Sequence, residues 1–300
     1  MRSHRSVFFG MCLLPLAGVT SACSDSGRGT GNGGTGLDFA QGPGFDGGKG
    51  SGCSDSAKLV YLVDSNNDFL SFAPATTTFT KIGALGCPAQ FGATPFSMGV
   101  DRTPTAWVLY NSGEVFKVST DDASCQPTTF APGQKGFQVF GMGFASNSAG
   151  STDETLYIAG GTDVSTMTPT SKFGTLSFPD LTVASKGTIT GWPELTGTGE
   201  GKLWGFFPSA TVTPRVAELD KNSGVDGTVF PLASLKGTPA AWAFAFWGGD
   251  FFVFLERDTD SSTSVYRVNG QTGAVTTAKA NTGRTIVGAG VSTCAPTTIL

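Results

Sequence analysis

Three carboxylates, Glu194, Asp101 and Asp250, are the side chains of this sequence best placed for acid–base chemistry. Hydrolysis of a glycosidic bond needs two carboxyl groups on opposite sides of the bond, one acting as acid and the other as base or nucleophile. Each of the three also has an explanation in local structure. Glu194 occupies a strand position that related strands fill with Ser, Gly or Ala, and it is flanked by Trp192, Thr196 and Thr198. It serves either as an acid or ligand-binding group with those neighbours as ligand contacts, or as a carboxylate bonded to nearby N–H groups and hydroxyls, which burial demands in any case. Asp101 opens the turn Asp101-Arg102-Thr103-Pro104-Thr105 and Asp250 follows Gly248-Gly249, so both read equally as turn caps. The expected catalytic set is empty, with these three as the candidates.

Other chemistries are narrowed by what the chain lacks. Its single histidine, His4, lies in a leader that export would remove, so the mature chain has no Ser-His-Asp or Cys-His nucleophile and no histidine-ligated zinc or copper. Asp64-Ser65-Asn66-Asn67-Asp68 and Arg257-Asp258-Thr259-Asp260 resemble oxygen-ligand loops but lack the spacing of a calcium-binding EF-hand. Asn66-Asn67 is explained as a two-residue hairpin turn. The glycine-rich Thr196–Gly201 does not lead from a strand into a helix, so it is no phosphate cradle. No metal or cofactor is expected.

The leader is read from its own residues. Arg2 and Arg5 precede the apolar run Val7–Val19, too short for an ordinary transmembrane helix, and Thr20-Ser21-Ala22-Cys23 follows. Ser21, Ala22 and Cys23 resemble the bacterial lipobox, at which a signal is cut and the cysteine acylated; Thr20 departs from the usual Leu. Cleavage after Ala22 by an ordinary secretory route is the alternative. The expected segments are a signal peptide over 1–22, a lipidated Cys23 with a Gly-rich linker over 23–56, and a folded domain over 57–300. Residues 27–52 contain 12 glycines, a composition that cannot bury enough apolar surface to order itself. Ser24, not Asp, occupies the position after the cysteine, a resemblance to lipoproteins sorted to the outer membrane. Removing Arg2 and Arg5 from the 19 basic residues leaves 17 against 23 acidic ones, a net charge of −6. There is no basic cluster to track a phosphate backbone, so nucleic acid is not an expected partner. The expected partners are the membrane, through the N-terminal lipid, and a protein or glycan ligand.

The elements that must position the candidate residues repeat. Five strands share a small-x-small pattern: Ser97–Asp101, Gly141–Ala145, Glu194–Thr198, Ala241–Ala245 and Gly288–Ser292, starting 44, 53, 47 and 47 residues apart. Four of them are followed by three more short strands. The fifth ends the chain, and the missing three strands, Lys58–Ser65, Asp68–Pro74 and Thr78–Leu85, stand at the other end. Joining the two sets completes a fifth blade and removes open sheet edges. The fold class expected is all-β: a five-bladed β-propeller closed by pairing of N- and C-terminal strands. Small residues suit crowded inner strands, and most of the 24 phenylalanines read as core between blades. On this layout Cys53 and Cys294 meet at the ring closure and Cys87 pairs with Cys125, both disulfides favoured by export.

In turn layout and strand length the chain resembles uncharacterised bacterial secreted lipoproteins with propeller domains, a resemblance that implies no activity. Five-bladed propellers also host glycoside hydrolases, whose carboxylates sit near the central funnel. The leading expectation is a tethered, non-catalytic binding or scaffold module for a protein, glycan or envelope component. A carbohydrate-active enzyme using channel carboxylates and a purely structural envelope lipoprotein are the alternatives. The insertion Gly160–Ser171 in the third blade is the longest candidate binding loop.

Overall fold

The computed structural model describes residues 53–163 and 169–298. The expected signal, Cys23, and the linker up to residue 52 lie outside the described residues, as does the middle of the third-blade insertion. Twenty strands form five four-stranded antiparallel sheets, and the protein is a five-bladed β-propeller. Blade 1 joins β20 (Ile286–Val291) to β1 (Val60–Asp64), β2 (Asp68–Ala73) and β3 (Thr78–Ala84). Blade 2 is β4 (Pro95–Val100), β5 (Thr105–Tyr110), β6 (Val115–Ser119) and β7 (Cys125–Pro127). Blade 3 is β8 (Val139–Ser146), β9 (Glu154–Gly161), β10 (Thr170–Ser177) and β11 (Thr182–Thr190). Blade 4 is β12 (Glu194–Gly197), β13 (Leu203–Phe207), β14 (Arg215–Leu219) and β15 (Asp226–Pro231). Blade 5 is β16 (Pro239–Trp247), β17 (Asp250–Arg257), β18 (Ser264–Asn269) and β19 (Val275–Lys279).

The ring closes as the strand inventory implies: Val60, Tyr61, Leu62 and Val63 of β1 face Val291, Gly290, Ala289 and Gly288 of β20. Cys53–Cys294 and Cys87–Cys125 are both disulfides, with Cα–Cα distances of 5.7 and 5.0 Å. The first links positions 241 residues apart, and loop-closure entropy of that length contributes about 5 kcal/mol.

The inner strands β4, β8, β12, β16 and β20 surround the axis, and small residues let them touch backbone to backbone. A Cβ on Gly141 would lie 2.2 Å from the Pro193 carbonyl oxygen, and one on Gly143 2.7 Å from that of Leu195. No side chain fits there. At one level of every blade the second strand carries an aromatic ring opposite the inner strand: Tyr61 faces Gly290, Trp107 faces Gly99, Tyr157 faces Gly143, Trp204 faces Thr196 and Phe252 faces Ala245. Small-to-large pairing of this kind fills a tapering blade.

This ladder corrects one expectation. In blade 5 the positions equivalent to Ser97 and Gly99 are Ala243 and Ala245, two residues beyond the expected Ala241 start. Ala and aromatic residues alternate from Ala241 to Phe246 within β16, so a period of two is satisfied in either register and only packing decides.

Five apolar clusters hold the ring, one at each junction of neighbouring blades. Phe72 against Phe254 joins blades 1 and 5, and Trp204 against Phe251 joins blades 4 and 5. The phenylalanines are largely core, as expected; Phe91 and Phe178 are exposed exceptions. Outer hairpins turn through a shared device: Ser119, Asp220 and Asn269 each accept backbone N–H bonds from residues just ahead. Ala123, Gly224 and Gly273 end those turns at positive φ.

Candidate functional site

The inner strands run parallel, so they begin on one face of the ring, the upper, and end on the other, the lower. Glu194 starts β12 at the upper end of the lumen, only 3% exposed. Its Oε2 accepts a hydrogen bond from Ser97 Oγ of blade 2 at 2.8 Å, and its carboxylate is also bonded by the Met142 backbone N–H of blade 3. Complete burial pushes its carboxyl well above the ordinary range, against the opposing effect of those two bonds. Glu194 thus ties three blades together across the axis. Thr196 does similar work one turn of the pleat further down, accepting the Phe246 N–H from blade 5 at 3.1 Å. Trp192 is buried, its ring against Gly161.

At the lower end the axis is covered. A Cβ on Gly199 would lie 2.5 Å from the Thr293 carbonyl oxygen, so the blade 4 turn abuts the C-terminal segment. Beside it, Glu154 accepts the Arg102 N–H at 2.8 Å and the Thr293 hydroxyl at 2.7 Å. The Arg102 guanidinium donates in turn to Thr293 Oγ1 at 3.0 Å and to Cys53 Sγ at 3.4 Å. Burial pushes the Glu154 carboxyl up to about 7, opposed by the Thr293 and Arg102 bonds. The Glu154–Arg102–Thr293 cluster is one the sequence reading missed, because Arg102 meets its partners 52 and 191 residues away.

Asp101 caps its turn. Its Oδ1 accepts from the Thr103 and Thr105 N–H groups and the Thr103 hydroxyl, and its Oδ2 from Trp107 Nε1 at 3.0 Å. Asp250 lies elsewhere, between blades 4 and 5. The three carboxylates do not share one open cavity: Glu194 is inside the lumen, Asp101 is in a turn of blade 2, and only Asp250 borders a groove.

That groove brings polar groups of two blades and the C-terminal segment together. It has a volume of about 470 Å³, within the usual span of ligand sites. Blade 4 contributes Thr198, Glu200, Lys202 and Trp204; blade 5 contributes Phe246, Gly249, Asp250, Arg267 and Gln271; Thr297 and Thr298 of the C-terminal segment complete it. The segment is pinned by the Gly248 N–H bond to the Pro296 carbonyl at 2.7 Å. Asp250, at the start of β17, accepts from Arg267 Nε at 2.5 Å, Gly270 N at 3.0 Å and Asn269 Nδ2 at 3.3 Å, and forms an ion pair with Arg267. Its oxygens are engaged by blade 5 itself. Lys202 sits on the facing wall, 3.6 Å from Glu218 and 5.8 Å above the Trp204 ring. Of the ligand candidates Trp192, Thr196 and Thr198, only Thr198 reaches this groove, and its hydroxyl accepts the Lys202 N–H at 3.2 Å. Among the described residues no group of His, Cys, Asp and Glu is arranged to hold a metal ion.

No protein-family profile matches the chain, and no curated protein does. Solved structures do resemble it. One is a protein of unknown function from Bacteroides caccae, 14% identical, with 72% of this chain and 70% of that chain covered at a TM-score of 0.39. Another is the extracellular domain of a proposed one-component system from B. thetaiotaomicron, 12% identical, with 73% of this chain and 29% of that one covered at 0.38. A chain of the mitotic checkpoint complex, 12% identical, covers 86% of this chain and 74% of its own length at 0.37.

Proposed function

We propose that this protein is an exported, non-catalytic binding module, tethered to the cell envelope through Cys23 and engaging its ligand in the groove between blades 4 and 5. The observation that carries the reading is the groove itself, a polar cleft with cations on both walls, while Glu194, Asp101 and Asp250 are each held by partners within the protein. Glu194 is sealed from any substrate, and Asp250 is held by three donor residues of its own blade. Two disulfides suit an oxidising compartment. None of the described helices is long and apolar enough to cross a membrane, so the tether falls to the lipobox-like Ser21-Ala22-Cys23, with the outer membrane as destination.

The test is a glycan and envelope-component binding screen with three proteins: wild type, Gln271→Trp and Glu194→Gln. Gln271 is exposed on the rim, so a tryptophan there fills the groove without entering the core. Binding lost in Gln271→Trp and kept in Glu194→Gln is the expected result. Ligand turnover abolished by Glu194→Gln would overturn the reading in favour of a carbohydrate-active enzyme. Mass spectrometry of the mature N-terminus checks the tether, with a diacylated or triacylated Cys23 expected.

A further inference from the structure

We infer that the groove between blades 4 and 5 selects a carboxylate-bearing saccharide, with Arg267 and Lys202 as its two anion contacts; this rests on the reading of the groove as the binding site. Arg267 is an oriented arginine. Its Nε and one Nη2 hydrogen point back at Asp250, whose side chain is 7% exposed, while the guanidinium side chain is itself 49% exposed. A guanidinium has five N–H donors, so the outer edge of the fork remains for a ligand. Planar, bidentate recognition of a carboxylate is what that edge does best.

Asp250 does not cancel this offer, because it lies behind the arginine and also accepts from Asn269 and Gly270. Across the groove, the Lys202 side chain is 49% exposed and stands over Trp204. Two half-exposed cations from different blades therefore converge on one cleft in a chain whose formal net charge is −4. Arg215, Arg257 and Arg284 are ion-paired too, with Asp226, Asp260, and Asp64 and Asp68, but their side chains are less exposed than that of Arg267.

The rest of the lining specifies what carries the carboxylate. Thr297, Thr298 and Gln271 supply hydroxyl and amide groups, and the aromatic floor of Trp204, Phe246 and Phe251 is buried, each residue 9% exposed or less. Such a surface hydrogen-bonds a polyhydroxylated chain and has no open apolar pocket for a hydrophobic side chain. Glu200, exposed at the rim, repels densely charged polyanions and favours one carboxylate per sugar unit.

The probes are α-1,4-linked trigalacturonate, neutral galactotriose and penta-glutamate, titrated by calorimetry and by tryptophan fluorescence into wild type, Lys202→Gln, Arg267→Gln, Glu200→Gln and Gln271→Trp. Thermal unfolding accompanies each variant; Lys202 is half exposed, so Lys202→Gln keeps the test valid even where Arg267→Gln disturbs Asp250. Expected are binding of trigalacturonate at least 10-fold tighter than galactotriose, weakening about 10-fold in Arg267→Gln and several-fold in Lys202→Gln, and tightening in Glu200→Gln. Added salt weakens it as well. Equal binding of trigalacturonate and galactotriose, both blocked by Gln271→Trp, would overturn the acidic specificity and leave the groove as the site. Penta-glutamate binding as tightly as trigalacturonate would replace the saccharide with an acidic peptide. Failure of trigalacturonate to bind overturns the inference. Binding of any ligand that ignores Gln271→Trp overturns the groove reading as well.

Discussion

The lumen and the blade 4–blade 5 groove each contain a buried acidic residue, and they handle it in opposite ways. Glu194 lies on the axis with a serine hydroxyl and a backbone N–H as partners, and burial favours its neutral acid. Asp250 is nearly as buried but has an arginine, an asparagine and a glycine N–H pointed at it. One arrangement closes a cavity and the other props a guanidinium at the edge of an open one. Around the axis, five inner strands crowd together backbone to backbone. Between blades the sheets splay apart toward the rim, and an ion pair can have one face in water. A buried carboxyl therefore marks a structural plug in the first case and a positioning group in the second.

The strongest test of the closed axis is its latch. Replacing Cys53 and Cys294 together by Ser removes about 5 kcal/mol, which for a domain of this size lowers Tm by about 10–20 °C. A calorimetric shift below a few degrees would mean that strand pairing between β1 and β20 holds the ring unaided. Next in size, Asp250→Ala strands Arg267 and leaves the Asn269 and Gly270 donors without an acceptor, costing about 3 kcal/mol. Groove binding is lost with it. Glu194→Gln, by contrast, stays within about 1 kcal/mol of wild type in mildly acidic solution and gains on wild type as pH rises, since an amide has no charged form to bury. A large loss in chemical denaturation for Glu194→Gln, or a neutral Asp250→Ala, would erase the distinction between plug and positioning group.

The smaller effects sharpen the comparison at the lower mouth. Glu154 is raised on folding from 4.5 to about 7, so its contribution is fully present below pH 4.5 and is lost as pH climbs through about 7. Wild type should lose about 2 kcal/mol over that window after allowing for partial exposure, and Glu154→Gln should flatten the profile measured by denaturant melts at several pH values. Smallest of all is Phe91→Ser. Its ring is fully exposed, so stability changes by less than about 0.5 kcal/mol.

Much of the architecture was legible in the chain because propeller blades repeat. Turn residues and alternating apolar runs mark all twenty strands, and the unpaired set at each terminus implies the closing blade and the Cys53–Cys294 bond. The register of β16 was not legible, since Ala241, Ala243 and Ala245 are interchangeable by pattern and only the aromatic ladder through Phe252 distinguishes them. The one aromatic per second strand that faces the inner strand at a shared level was present in the sequence as Tyr61, Trp107, Tyr157, Trp204 and Phe252, and alignment of second strands would have found it. For the candidate site, Asp250 and Thr198 were legible as polar residues near inner strands. Lys202 and Arg267 were not, because nothing in a β-hairpin or its neighbours tells a solvated basic residue from one facing a cleft.

From the sequence alone came what depends on local and periodic information: an all-β ring of five blades, the latch at its joint, and a net negative charge. Tertiary structure decided what depends on distance across blades. Glu194 meets Ser97 from 97 residues away, Arg102 meets Thr293 from 191 residues away, and the packing of blade 4 on blade 5 brings Lys202 and Arg267 to one groove. Whether a carboxyl becomes a plug, a cap or the support of a binding arginine is set by how much water and which partners surround it. Those are properties of the closed ring, and no single strand contains them.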